Sequence, residues 1–219
     1  MTTSDVCADS CVNRPLSYEY DVFISYPRAA PINAWRDYFS DKLTYWLGEQ
    51  LGRDAKLFVD KNIPHGAQWP DTMARGLALS RITIPLLSKR YYASKWCVSE
   101  AYATIFKQGR IINKPIRVAP PRLLFPVALH DGEDPNIINR FPDITKVQYT
   151  DMRELFCTEL SKRTKQRIDI AVKDWVQEAA GAIQEVDAHA PEQDWIETIA
   201  SWNFRCPDPI SFSNYRPHL

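Results

Sequence analysis

Short apolar runs alternate with longer stretches of helical periodicity along most of the chain. The first run, Tyr20-Asp21-Val22-Phe23-Ile24-Ser25, is β-branched and aromatic and stops just before Pro27, as a buried strand does. From Ile32 to Leu47 the large residues Trp35, Phe39, Leu43, Trp46 and Leu47 recur at helical spacing, with Gly48 and Gly52 bracketing the end. Lys56-Leu57-Phe58-Val59-Asp60 reads as a second strand, and Lys61 to Gln68, with Pro64 and Gly66, as a loop. Trp69 to Leu79 predicts a helix with Pro70 in its first turn. Arg81 to Leu87 predicts a third strand despite Pro85, which has no N–H to give a central ladder. Ser94 is placed to cap a helix from Lys95 to about Lys107. Leu123 to Leu129 predicts a fourth strand that again contains a proline, Pro126. A polar loop, His130 to Asn136, precedes a short fifth strand at Lys146 to Tyr149. From Met152 the pattern turns helical, through Leu155, Phe156 and Leu160 and then Ile168, Val172, Trp175, Val176, Ala179 and Ile183.

Strands alternating with helices predict an open, mostly parallel α/β sheet. Such sheets bind ligands beyond the carboxyl ends of their strands. The loops after Ser25, Asp60 and Ser88 therefore share one end of the sheet and are where chemistry is expected.

Composition narrows the function classes. At 219 residues the chain suits one domain, or one domain with an appendage. Its 27 basic and 27 acidic residues cancel, so no global field draws it to nucleic acid or an anionic membrane. The basic run Ser161 to Arg167 reads as a solvated helix face. Cys7, Cys11, Cys97, Cys157 and Cys206 form no pair of CxxC motifs, and His65 and the other histidines have no ligand spacing, so no metal is expected. Odd, scattered cysteines fit reduced thiols in the cytoplasm. Residues 1–17 read as a polar leader without a signal-peptide core, and no apolar stretch is long enough to span a bilayer.

Three segments carry the chemistry: Tyr20 to Arg28 (YDVFISYPR), Phe58 to Trp69 (FVDKNIPHGAQW), and Ile84 to Glu100 (IPLLSKRYYASKWCVSE). Together and in this order they resemble the Toll/interleukin-1 receptor (TIR) domain family. That family has a strand ending in Phe-Ile-Ser-Tyr, then a strand ending in Asp before a Pro/Gly loop, then Trp-Cys-x-x-Glu after a strand ending in Leu-Ser. The resemblance covers roughly Glu19 to Met152. It implies a flavodoxin-like three-layer fold with a central parallel sheet of about five strands. The domains expected are a leader at 1–17, the TIR domain at 18–153, and a C-terminal helical extension at 154–219 packed on the core.

Some TIR domains are scaffolds; others, including many bacterial members, cleave NAD+ between nicotinamide and ribose. In the enzymes the Glu of Trp-Cys-x-x-Glu is catalytic, which points here to Glu100. The same resemblance implies that Ser25, Tyr26, Arg28, Asp60, Trp69 and Trp96 bind the dinucleotide. Plain alternatives stand beside these roles: a strand end for Ser25, a loop arginine for Arg28, a turn or helix cap for Asp60, core packing for Trp69. Pro27 occupies a position where the family often carries a basic residue. NAD+ is expected as substrate, with no bound cofactor, and the product is ADP-ribose or a cyclic isomer. The resemblance further implies homotypic assembly through the 61–68 loop and a role in antiviral (anti-phage) signalling, with a phage-derived activator and an effector that senses the nucleotide product. The competing expectation is a non-enzymatic TIR adaptor. A redox dinucleotide enzyme is disfavoured because no GxGxxG follows the first strand.

Overall fold

Val22, Phe23 and Ile24 are each at most 1% exposed, so the first apolar run is covered on both faces, as a parallel strand must be. The computed structural model describes residues 16–28, 30–60, 69–112, 122–130 and 135–201. Strand β1 (Tyr20–Ser25) pairs in parallel with β2 (Leu57–Val59) on one side and β3 (Ser80–Leu87) on the other. Strands β4 (Val127–Ala128) and β5 (Thr150–Asp151) complete an all-parallel sheet in the order β2-β1-β3-β4-β5.

Helices cover both faces, making three layers. On one face, α1 (Ala30–Leu51) buries Trp35, Phe39, Leu43 and Leu47 against Val22, Ile24, Ile82 and Ile84. It runs past its predicted end at Leu47 and stops where Gly52 takes φ +65°, the left-handed turn that glycine tolerates best. Beside it, α7 (Lys162–Val186) buries Ile168, Val172, Val176, Ala179 and Ile183 in the same core. On the opposite face Phe23 and Phe58 meet α2 (Trp69–Ala78), α4 (Lys95–Ile112) and α8 (Gln193–Ser201). The short helices α3 (Lys89–Ala93), α5 (Pro135–Arg140) and α6 (Pro142–Thr145) complete the set among the described residues.

Four expectations need correcting, three of them for a hydrogen-bonding reason. The fourth strand is not continuous over 123–129. Thr83 bonds Leu123 and Phe125 through both backbone groups (2.8 and 2.9 Å), and regular pairing then breaks beside Pro85 and Pro126, resuming at Val127. Neither proline has an N–H to donate. The fifth strand is at Thr150–Asp151 rather than 146–149, because the Lys146 and Val147 amides are spent closing α6 on Pro142 and Ile144. Helix does not start at Met152. Arg153–Leu155 is a single 3₁₀ turn held by Trp35 Nε1 donating to the Leu155 carbonyl (3.0 Å), and α7 begins only where Ser161 Oγ accepts the Thr164 amide (3.1 Å). The expected loop over 130–136 gives way to α5 at Pro135.

At the amino end of the sheet, buried Asp21 accepts from Arg53 (2.6 and 2.9 Å), the Lys56 amide (2.7 Å) and Arg81 (3.2 Å). Burial alone would raise this carboxyl, but the Arg53 bonds and the other donors prevail and hold it below the usual range. The exposed basic residues of the 161–167 run lie on the solvent side of α7. No helix among the described residues is long and apolar enough to cross a membrane.

Gly76 lets α2 sit directly on β2. A Cβ there would lie 2.6 Å from the Phe58 ring, which is itself stacked on Phe23 with centroids 5.1 Å apart and has little room to retreat. Alanine in a helix interior normally gains about 1 kcal/mol over glycine. Here Gly76→Ala should instead lose about 1–3 kcal/mol by overpacking, read as a lower urea midpoint at unchanged slope. An unchanged or higher midpoint would show that the Phe58 ring moves aside freely.

Candidate active site

The strand ends put the three motif segments in one row. Ser25 is the last residue of β1, Asp60 directly follows β2, and Ser88 directly follows β3. Ser88 Oγ accepts the Tyr91 amide (3.1 Å) and so starts α3. The chain breaks at Ser94, whose Oγ accepts the Cys97 amide (3.4 Å) and starts α4. That second start aims the first turns of α4, with Trp96, Cys97 and Glu100, across the end of β1.

These segments enclose a cleft of about 590 Å³, lined by Tyr26, Pro27, Arg28, Asp60, Trp96, Cys97 and Glu100, with Arg90, Ala93 and Ser94 completing its wall. The volume is that of a small-molecule or nucleotide pocket. Of the residues expected here, Tyr26, Arg28, Asp60, Trp96 and Glu100 line the cleft. Ser25 lies buried and holds Glu100 from behind. Trp69 opens α2, but its side chain and the 61–68 loop lie outside the described residues.

Two polar groups organise the cleft. In the first, Asp60 accepts the Tyr26 hydroxyl on one carboxylate oxygen and Arg28 Nε on the other (2.7 Å). Burial, reinforced by the Asp60 charge, pushes the Tyr26 phenol well up, so it stays a donor. The Arg36 guanidinium stacks over the Tyr26 ring at 4.2 Å. Arg28 is 57% exposed at the cleft rim, and Asp60 fixes its direction. Asp60 thus serves Tyr26 and Arg28 directly rather than capping a described helix. Pro27 does not remove the cationic rim, because Arg28 and Arg90 both reach it.

The second group is Glu100. It is only 4% exposed although it lines the cleft, and its Oε2 is hydrogen-bonded with Ser25 Oγ at 2.5 Å. The Tyr91 hydroxyl contacts Ser25 Oγ at 2.9 Å and donates to the Cys97 carbonyl at 2.7 Å. Burial is the dominant influence on Glu100 and raises it; the Asp60 charge adds to this, while the Ser25 bond and Arg28 oppose it, for a net rise to about 8. Burial likewise raises the Cys97 thiol well above its usual value, which makes it an inert packing group. Tyr91 was not singled out from the sequence. Its position three residues after Ser88 carries no sign of a partner on β1, since that contact exists only once α3 folds over the strand end. Among the described residues no group of three or more His, Cys, Asp or Glu side chains is arranged to hold a metal ion.

Compared with known families, the chain matches the family model described as TIR domain over residues 22–164. No curated protein matches it. The matched span begins within β1, ends within the first turn of α7, and includes every residue of the cleft.

The Glu100 environment has a consequence for folding. An acid raised to about 8 in the folded state, against an ordinary value of 4.5, is neutral when folded and charged when unfolded between those pH values. The folded state then binds the extra proton, so stability falls as pH rises through this window. Relative to Glu100→Gln, the wild type should lose up to about 1.4 kcal/mol per pH unit from pH 5 to pH 8, with no further divergence above. Melting curves of both proteins across this range test it; parallel pH profiles would refute the buried neutral acid.

Proposed function

The chain belongs to the TIR domain family, and on that premise we propose that it cleaves NAD+ between nicotinamide and ribose, with Glu100 as the catalytic residue. The observation that carries the proposal is a desolvated carboxyl group in the wall of a nucleotide-sized cleft whose rim bears two arginines. A buried acid without a cationic partner in bonding contact opposes stability, and its place in a cleft supports a role in chemistry.

The reaction needs little else from the protein. The nicotinamide nitrogen of NAD+ is positive and leaves as a neutral ring, so no general acid has to protonate it. Positive charge grows on the ribose anomeric carbon as the bond breaks, as in other glycosyl transfers. Ionised Glu100 accepts hydrogen bonds from ribose hydroxyls and stabilises that charge where little water competes. Water then adds to the anomeric carbon and releases a proton, giving ADP-ribose; attack by an adenine nitrogen gives a cyclic isomer instead. Arg28 and Arg90 meet the diphosphate, and Trp96 walls the nicotinamide side. Trp69 and assembly through residues 61–68 complete the site in this reading. The resemblance to NAD-cleaving bacterial members extends the proposal to antiviral signalling, with a partner effector reading the nucleotide product.

Concentrated protein incubated with NAD+ should release nicotinamide, and Glu100→Gln should lower kcat at least about 100-fold. Arg28→Ala should mainly raise KM, because it loosens the diphosphate without touching the reacting carbon. Product chromatography distinguishes ADP-ribose from a cyclic isomer. Release that persists in Glu100→Gln overturns the catalytic assignment. No release at any protein concentration favours a TIR adaptor acting through homotypic assembly.

A further inference from the structure

Behind the cleft, the Glu100 carboxyl, the Ser25 hydroxyl, the Tyr91 hydroxyl and the Cys97 carbonyl form a single buried line of contacts at 2.5, 2.9 and 2.7 Å. Ser25 is 1% exposed and Tyr91 is 0% exposed, so water does not supply substitute partners along it. Each hydroxyl owns one hydrogen, and the Cys97 carbonyl owns none. With Glu100 ionised, two hydrogens must serve three oxygen–oxygen contacts, and one contact brings lone pairs together. With Glu100 protonated there are three hydrogens for three contacts, and every one is satisfied in a single direction: Glu100 to Ser25, Ser25 to Tyr91, Tyr91 to the Cys97 carbonyl. Buried polar groups strongly favour the arrangement that leaves none unpaired.

We infer that the free protein holds Glu100 as a neutral acid at the head of this one-way chain, and that Tyr91 is a positioning residue which, by occupying Ser25's hydrogen, sets when Glu100 becomes charged. The functional meaning of that charge rests on the proposed NAD+ cleavage; the chain itself does not. Ionisation releases one proton to water in the cleft. Ser25 then rotates its hydrogen from Tyr91 to the carboxylate, and the Tyr91–Ser25 contact is left without one unless Tyr91 gives up the Cys97 carbonyl. Around the head of the chain stand Tyr26 and Arg28 beyond β1, Asp60 beyond β2, Arg90 on α3 and Cys97 on α4. Of these, Asp60 favours the neutral acid and Arg28 favours the carboxylate. The positive nicotinamide of a bound substrate would join Arg28. Binding and ionisation are thereby linked, and the charge appears where the substrate is present.

The carboxyl can be followed directly. In protein carrying carbon-13 at the glutamate carboxyl carbon, the Glu100 signal is assigned as the one missing from Glu100→Gln, and its shift is recorded against pH. The wild-type midpoint should lie near 8. Tyr91→Phe keeps the ring but frees Ser25's hydrogen for the carboxylate, and should lower the midpoint by about one pH unit. Ser25→Ala removes the donor to the carboxylate and should raise it. A packing role alone for Tyr91 predicts the opposite for Tyr91→Phe, since loss of a hydroxyl makes the site more apolar. An unchanged or higher midpoint in Tyr91→Phe, or a lower one in Ser25→Ala, overturns the inference; Ser25→Ala tests it independently if Tyr91→Phe does not fold. The matching kinetic result is a gain: at pH 7, Tyr91→Phe should release nicotinamide about fivefold faster, with the rising limb of kcat/KM displaced to lower pH. Midpoint shifts without nicotinamide release would leave the chain standing and overturn the proposed reaction. Release with unshifted midpoints would do the reverse.

Discussion

Two neighbouring strands run parallel only if the chain crosses back over a face of the sheet between them, and that requirement shapes this protein around the pairing of β1 with β3. The crossovers supply α1, α2 and α4, whose apolar stripes then bury both faces of the sheet. Parallel order also brings the carboxyl ends of β2, β1 and β3 side by side, so residues as far apart in sequence as Ser25, Asp60 and Glu100 become neighbours. The cleft is a consequence of this topology, with β1 at its centre because the strand order turns there.

Burial of charge is handled differently at three places. Asp21 at the amino end of the sheet is surrounded by Arg53, Arg81 and the Lys56 amide, and stays ionised. Lys107 is buried under Trp195, donates to the Leu77 and Ser80 carbonyls (2.9 and 2.6 Å), and is brought down to about 7 by burial. Its partners are backbone oxygens at the end of α2 and the start of β3, which gives it a plain role in joining α2, α4 and β3. Glu100 has neither a neutralising cation in bonding contact nor a tying function between helices. It faces a cleft, bonded to one hydroxyl. That contrast sets Glu100 apart from the two groups whose partners tie the architecture together.

Legibility in the sequence followed the strength of local signals. The β1 run, the α1 stripe and the Ser94 cap are visible because period and capping chemistry are local properties. The Trp-Cys-x-x-Glu run pointed to Glu100 and Trp96, and both line the cleft. The fifth strand and the start of α7 were not legible. Their positions depend on which backbone amides are already spent on α6, and on a Trp35 indole reaching the Leu155 carbonyl from 120 residues away. Likewise, nothing in the sequence pairs Asp60 with Tyr26 and Arg28, and Tyr91 reads as an aromatic in a short helix.

By itself, then, the sequence determined the α/β class, the covered central strand and the residues able to do chemistry, because apolar period and side-chain type do not depend on distant partners. The tertiary structure decided how those residues are placed. It removed Glu100 from water, set Ser25 and Tyr91 behind it, and turned Arg28 toward the rim through Asp60. Desolvation and hydrogen-bond direction are properties of what surrounds a group, and for Glu100 those surroundings come from β1, β2, α3 and α4 together.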